Sequence, residues 1–195
     1  MSIYSANIEK SKINEMPVAQ FGGRIITIDT VEATDKAMKA LSGETVIGLD
    51  TETRPSFKKG VHHTVSLIQL STADTCFLIR LNRVGMPDSL VALLENKEIK
   101  KVGVSLHDDC QALNARRKFK AGGFIDLQNK VAEYGIEEKS LQKIFAIVFG
   151  QRISKSQQLT NWENDVLTDK QKMYAATDAW ACLEIFKELE HKNNQ

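Results

Sequence analysis

The stretch Val46-Ile-Gly-Leu49 is apolar almost without a break and runs directly into Asp50-Thr-Glu52. A short continuous apolar run reads as a central strand covered on both faces. Side chains two apart along a strand point the same way, so the end of this strand presents two carboxylates on one face. A buried strand that finishes in two acids differs from a solvated edge, because strand ends in α/β sheets are where ligands tend to sit.

Around that strand the chain alternates strand and helix patterns. Arg24 to Ile28 reads as a short strand, and Val31 to Leu41 as a helix with Thr30 as its cap and Glu32 in the first turn. A loop with Pro55 and Gly60 follows, then strands at Thr64 to Ser71 and Cys76 to Leu81, whose short connection requires antiparallel pairing. Further patterns predict a helix from Asp88 to Leu94, a strand at Lys100 to Val104, a helix from His107 to Arg117 and a strand at Phe124 to Asp126. Helices at Leu127 to Tyr134, Ser140 to Val148 and Thr168 to Lys192 complete the chain. The expected fold class is α/β, a mixed sheet flanked by helices.

With 195 residues, 42% hydrophobic and 26% charged, the chain fits one domain with a substantial core. Residues 1–22 are polar and aperiodic and end at Gly22-Gly23, so they are expected to form an arm or short helix laid on a domain of residues 23–195. A net charge of +1 advertises no overall basic field, and any nucleic-acid binding must come from local patches. Cys76, Cys110 and Cys182 form no CxxC pair and read as reduced thiols. The absence of a signal-like or membrane-spanning apolar stretch leads us to expect a soluble cytoplasmic protein without a membrane partner.

Two further segments carry acids: Val102-Gly-Val-Ser-Leu-His-Asp-Asp-Cys110 and Tyr174-Ala-Ala-Thr-Asp178. Tyr174 and Asp178 lie four apart in a helical pattern and share a face. Ala175, Ala176 and Ala179 around them allow that helix to approach the sheet closely. Either Asp108 or Asp109 could face a metal, and Asp109 is favoured because it shares a helix face with the apolar Leu113. Acids collected from distant segments repel, more so at low dielectric. Divalent cations that prefer hard oxygen ligands remove the penalty, which points to Mg²⁺ or Mn²⁺ in a two-metal site for cleaving phosphodiesters.

These motifs resemble the DEDD superfamily of 3′→5′ exonucleases, in the subgroup whose third motif is Tyr-x-x-x-Asp. The resemblance covers about residues 23 to 190 and extends to Val65-Ser-Leu-Ile-Gln-Leu-Ser71, Leu94-Glu-Asn-Lys97 and Asn161-Trp-Glu163. It is strong to the exonuclease domain of the Werner syndrome helicase and its stand-alone bacterial relatives, and more distant to RNase D. It implies a ribonuclease H-like fold and two cations, Mg²⁺ or Mn²⁺, held by Asp50, Glu52, Asp109 and Asp178, with Tyr174 orienting the attacking water. The implied products are nucleoside 5′-monophosphates released from a free 3′ end, with DNA favoured over RNA and with helicase or repair proteins as partners in trans. Where the Werner-type domain carries an aromatic two residues past the second-motif aspartate, this chain has Gln111.

Candidate substrate contacts are Phe57, Lys58 and Lys59 in the loop after the first motif, and Arg116, Arg117 and Lys118 after the second. Arg152 and Lys155 precede the third motif. Phe57 is the base-stacking candidate, and Trp162 and Trp180 are expected in the core. The Tyr-type third motif argues against His62, His63 or His107 as a catalytic base. Two other readings stay open: an RNase D-like exoribonuclease, and a catalytically silent nucleic-acid-binding domain.

Overall fold

In the computed structural model, which describes residues 4–193, the apolar run forms an inner strand of a six-stranded sheet. In chain order the elements are α1 (Lys10–Glu15), β1 (Arg24–Ile28), α2 (Val31–Leu41), β2 (Val46–Thr53), β3 (Val65–Ser71), β4 (Thr75–Ile79) and α3 (Leu81–Val84). They continue with α4 (Asp88–Glu95), β5 (Lys100–Gly103), α5 (Leu106–Arg116), β6 (Phe124–Asp126), α6 (Leu127–Ala132), α7 (Leu141–Phe149) and α8 (Asp169–Asn193). The strand order is β1-β4-β3-β2-β5-β6. β3 is antiparallel to both β2 and β4, while β5 and β6 follow β2 in parallel, as helical crossovers require.

Local chemistry explains most boundaries. The Thr30 hydroxyl accepts the Ala33 N–H at 3.2 Å and starts α2, as its sequence predicts. The Ser140 hydroxyl accepts the Lys143 N–H at 3.4 Å to start α7, and Gly150, at φ 63°, closes it in the left-handed region. One face of the sheet is covered by α2, α4 and α5 over a core that includes Leu41, Ile47, Leu49, Ile68, Leu90 and Leu113. The other is covered by α6, α7 and α8, with Leu127, Ile144, Phe145, Leu183 and Ile185 inside. β2 is therefore buried on both faces up to its acidic end.

The sequence expectation differs from the structure most clearly at the end of β4, and the helix expected to reach Tyr134 stops at Ala132. The strand predicted to reach Leu81 stops at Ile79, and Leu81 begins α3. Arg80 terminates it: its guanidinium turns away to donate to the backbone carbonyls of Asn164 and Asp165. β1, whose pairing the sequence left open, lies parallel to β4 at the sheet edge. Neither the end of β4 nor the pairing of β1 depends on hydrophobic periodicity, since both are set by partners far along the chain.

The described residues preceding β1 lie along the domain. The Ala6 carbonyl accepts the Glu137 N–H at 2.8 Å, Arg152 exchanges backbone hydrogen bonds with Pro17 and Ala19, and Phe21 is buried with its N–H donated to Thr177 on α8. Among the described residues no helix is long and apolar enough to cross a membrane.

Candidate metal centre and active site

The long helix α8 crosses β2 at a glycine. A β-carbon on Gly48 would stand 1.9 Å from the Ala179 carbonyl oxygen, so only glycine permits this approach. The contact sets Asp178, the residue before Ala179, over the end of β2. Carboxylate oxygens of Asp50, Glu52 and Asp178 all lie within 4.8 Å of one another. Glu52 and Asp178 are buried and Asp50 is half-buried.

Asp109 arrives from the opposite helical layer. It sits in the first turns of α5, half-buried, and accepts a hydrogen bond from the Thr51 hydroxyl at 2.5 Å. Thr51 points to the other face of β2 from Asp50 and Glu52, so Asp109 stands beside the three acids, close enough for its charge to act on Asp50, and is not among those whose oxygens lie within 4.8 Å of one another. Asp108 is exposed. The turn that aims α5 contains Ser105 at φ 61° and ψ 34°, a left-handed conformation that costs energy for a residue other than glycine. Asp126 holds it, with its carboxylate accepting the N–H groups of Ser105 and Leu106 at 3.3 and 2.9 Å. Asp126 was not singled out by its sequence pattern, because its task appears only once β6 lies beside β5.

Burial and mutual repulsion drive protons onto these acids. Desolvation, then Asp178 and Asp109, push Asp50 well above the usual carboxylate range. Desolvation and then Asp50 raise Glu52 to about 10. Asp109 rises to about 6 by burial, partly offset by the Thr51 hydrogen bond. Burial brings Asp178 to about 7, held back by a hydrogen bond from Tyr174 and by the charge of Lys155. Tyr174 is itself pushed upward, first by burial and then by Asp178 and Glu52, so its phenol keeps its proton.

A cleft of about 230 Å³ opens over the acids. Its floor includes Asp50, Glu52, Tyr174 and Asp178, and across from them stand Ser154, Lys155 and Gln158 from the segment before α8. Lys155, a candidate contact because it precedes the third motif, thus stands in the cleft with its charge acting on Asp178. The other expected contacts are dispersed. Phe57 is 83% exposed in the loop after β2, beside the exposed Lys58 and Lys59. That loop is tied toward the third motif by Arg54, 3.2 Å from Glu163. Arg116 and Arg117 are committed to the protein itself. Arg116 donates to the Val65 and Leu81 carbonyls and to Thr64, and Arg117 to the Met86 carbonyl and Asp88. Arg152 likewise donates to the Met16 carbonyl, whereas Lys118 is exposed. Trp162 is fully buried against Tyr174 and lies outside the reach of substrate.

All three clustered ligand atoms are carboxylate oxygens, a donor set suited to hard divalent cations. Acids placed so at one end of a mixed sheet could hold such a cation. The chain belongs to the 3′-5′ exonuclease family, whose pattern matches residues 25–194. It is 34% identical over 197 residues to the bifunctional 3′-5′ exonuclease/ATP-dependent helicase WRN of Mus musculus, which covers 94% of this chain but only 14% of that protein. The structure resembles the Aedes aegypti Nibbler EXO domain, with a TM-score of 0.79 at 22% identity, covering 91% of this chain and 93% of that one. It also resembles Escherichia coli RNase D, an exoribonuclease, with a TM-score of 0.75 at 24% identity over 88% of this chain and 46% of that one. These likenesses establish the ribonuclease H-like fold expected of a DEDD exonuclease.

Proposed function

We propose that this protein is a 3′→5′ exonuclease that removes nucleoside 5′-monophosphates from a free 3′ end, with DNA as the favoured substrate. The observation that carries this reading is the meeting of Asp50, Glu52 and Asp178 within 4.8 Å. A domain that only bound nucleic acid would gain nothing from forcing like charges together in a buried site. Asp50, Glu52 and Asp178, with Asp109 beside them, would hold two divalent cations, Mg²⁺ or Mn²⁺, which when bound activate water and neutralise the leaving 3′-oxygen.

The chain's own groups do the rest. Tyr174 stands beside Asp178, and its surroundings push its pKa upward, so its phenol keeps its proton and is not available as a base. Its hydroxyl orients the attacking water and takes no proton from it. Lys155, opposite the carboxylates in the same cleft, contacts the phosphate of the terminal nucleotide. Phe57, Lys58 and Lys59 meet the strand further out, with Lys118 on the α5 side; their exposure leaves them free to do so. The guanidinium groups of Arg116 and Arg117 brace the fold under that surface. Helicase or repair proteins acting in trans would supply the ends.

Favouring DNA rests on the resemblance of residues 23 to 190 to the Werner-type domain. The test is release of nucleotides from end-labelled DNA and RNA strands in Mn²⁺. Preferential release of 5′-monophosphates from DNA supports the proposal. Faster release from RNA would make the protein an exoribonuclease, and no release from either would leave only a binding domain.

A further inference from the structure

Gln69 lies in the middle of β3 with none of its surface exposed, and neither its amide oxygen nor its amide nitrogen has a hydrogen-bond partner. Buried amides are rarely left so, and an apolar side chain of equal size would avoid the cost altogether. The strand register shows what stands beside it. Gln69 is directly opposite Asp50 on β2 and Leu78 on β4, so all three side chains leave the same face of the sheet. Along β3 its neighbours on that face are Leu67 and Ser71, and the Ser71 hydroxyl already donates to the Thr72 carbonyl. Cross-strand partners of this kind have β-carbons about 5 Å apart, within reach of a glutamine amide.

Asp50 has the complementary deficit. Its electrostatic neighbours include the acids Asp178 and Asp109, and its one hydrogen-bonding compensation is the Thr51 backbone N–H. A carboxylate that must stay ionised to hold cations needs donors behind it, and such supporting partners orient the ligand.

We infer that Gln69 is the positioning residue for Asp50: its amide N–H groups donate to the Asp50 carboxylate and fix the direction in which that carboxylate faces the cleft. The inference rests on the metal-dependent reading above. It explains why a polar side chain occupies a position otherwise surrounded by leucine and small residues.

Calorimetric titration of Mn²⁺ into the wild-type protein and Gln69→Met tests this at fixed pH. Losing the donor should weaken Mn²⁺ binding by about 10–100-fold. The melting temperature of the metal-free variant should be unchanged or higher, because methionine removes an orphaned amide. Equal Mn²⁺ affinity in the two proteins would overturn the assignment while leaving the nuclease reading intact. Absence of Mn²⁺ binding by the wild type would remove both. A second measurement needs no variant: Mg²⁺ added to the ¹⁵N-labelled wild-type protein should shift the Gln69 side-chain amide resonances. Unmoved resonances at saturating Mg²⁺ would contradict the proposal even if Gln69→Met failed to fold.

Discussion

Asp50 and Asp178 are held where ionisation is costly, and this separates their contribution to activity from their contribution to stability. Replacing either carboxylate by its amide removes repulsion but also removes a ligand. Asp50→Asn or Asp178→Asn should therefore lower nucleotide release on the order of 10³-fold or more, as measured by steady-state kinetics. The same variants should melt about 2–4 °C higher than wild type in the absence of metal, the shift expected from relief of about 1 kcal/mol in a chain of this size. Tyr174 belongs to a different class, since its phenol keeps its proton beside Asp178. Tyr174→Phe should reduce kcat about 10–100-fold while leaving Mn²⁺ affinity within about twofold, a split that loss of a ligand would not produce. At this scale the acids and Tyr174 were legible in the sequence because spacing alone assigns their faces. Asp109 was distinguishable from Asp108 on the same ground. Gln69 was not, because its meaning depends on the β2–β3 register, and Lys155 was legible only as a basic residue ahead of the third motif, because a loop without periodicity gives no direction to its side chains.

The elements bring these residues together through a few enforced contacts. Gly48 is the sharpest, because the Ala179 carbonyl occupies the space where a side chain would begin. Gly48→Ala should push α8 off the sheet and cost about 1–3 kcal/mol, read as a loss of a few to about ten degrees in melting temperature. Activity should fall further than stability alone predicts, since Asp178 moves with the displaced helix. Restored activity in a Gly48→Ala protein that melts normally would contradict this account of the crossing. Helix and strand identities were readable wherever capping and periodicity agreed, as in α2 with its Thr30 cap. The end of β4 was not, because Arg80 is drawn to carbonyls of residues 164 and 165. The basic run at Arg116 and Arg117 was misleading for a related reason. From sequence the two arginines look solvated, but packing of α5 against β3 and α3 hands them backbone carbonyls to satisfy.

For the molecule as a whole, the acids make stability depend on both pH and metal. Glu52, Asp109 and Asp178 have folded-state pKa values raised to about 10, about 6 and about 7, all above the ordinary carboxylate range. The folded metal-free protein therefore binds more protons than the unfolded chain through this window, and its stability must fall as pH rises. In EDTA the melting temperature should decline from about pH 5 to about pH 8, and added Mn²⁺ should raise it more at the upper end, where fewer protons must be displaced. A melting temperature that rises over this range in EDTA would contradict the burial of these groups. The convergence of separated acids into a cation site is tested most directly by anomalous diffraction from crystals soaked in Mn²⁺. The predicted result is anomalous density among Asp50, Glu52 and Asp178, with Asp109 adjacent. Ordered Mn²⁺ found only elsewhere, in crystals of a protein that still releases nucleotides, would contradict it.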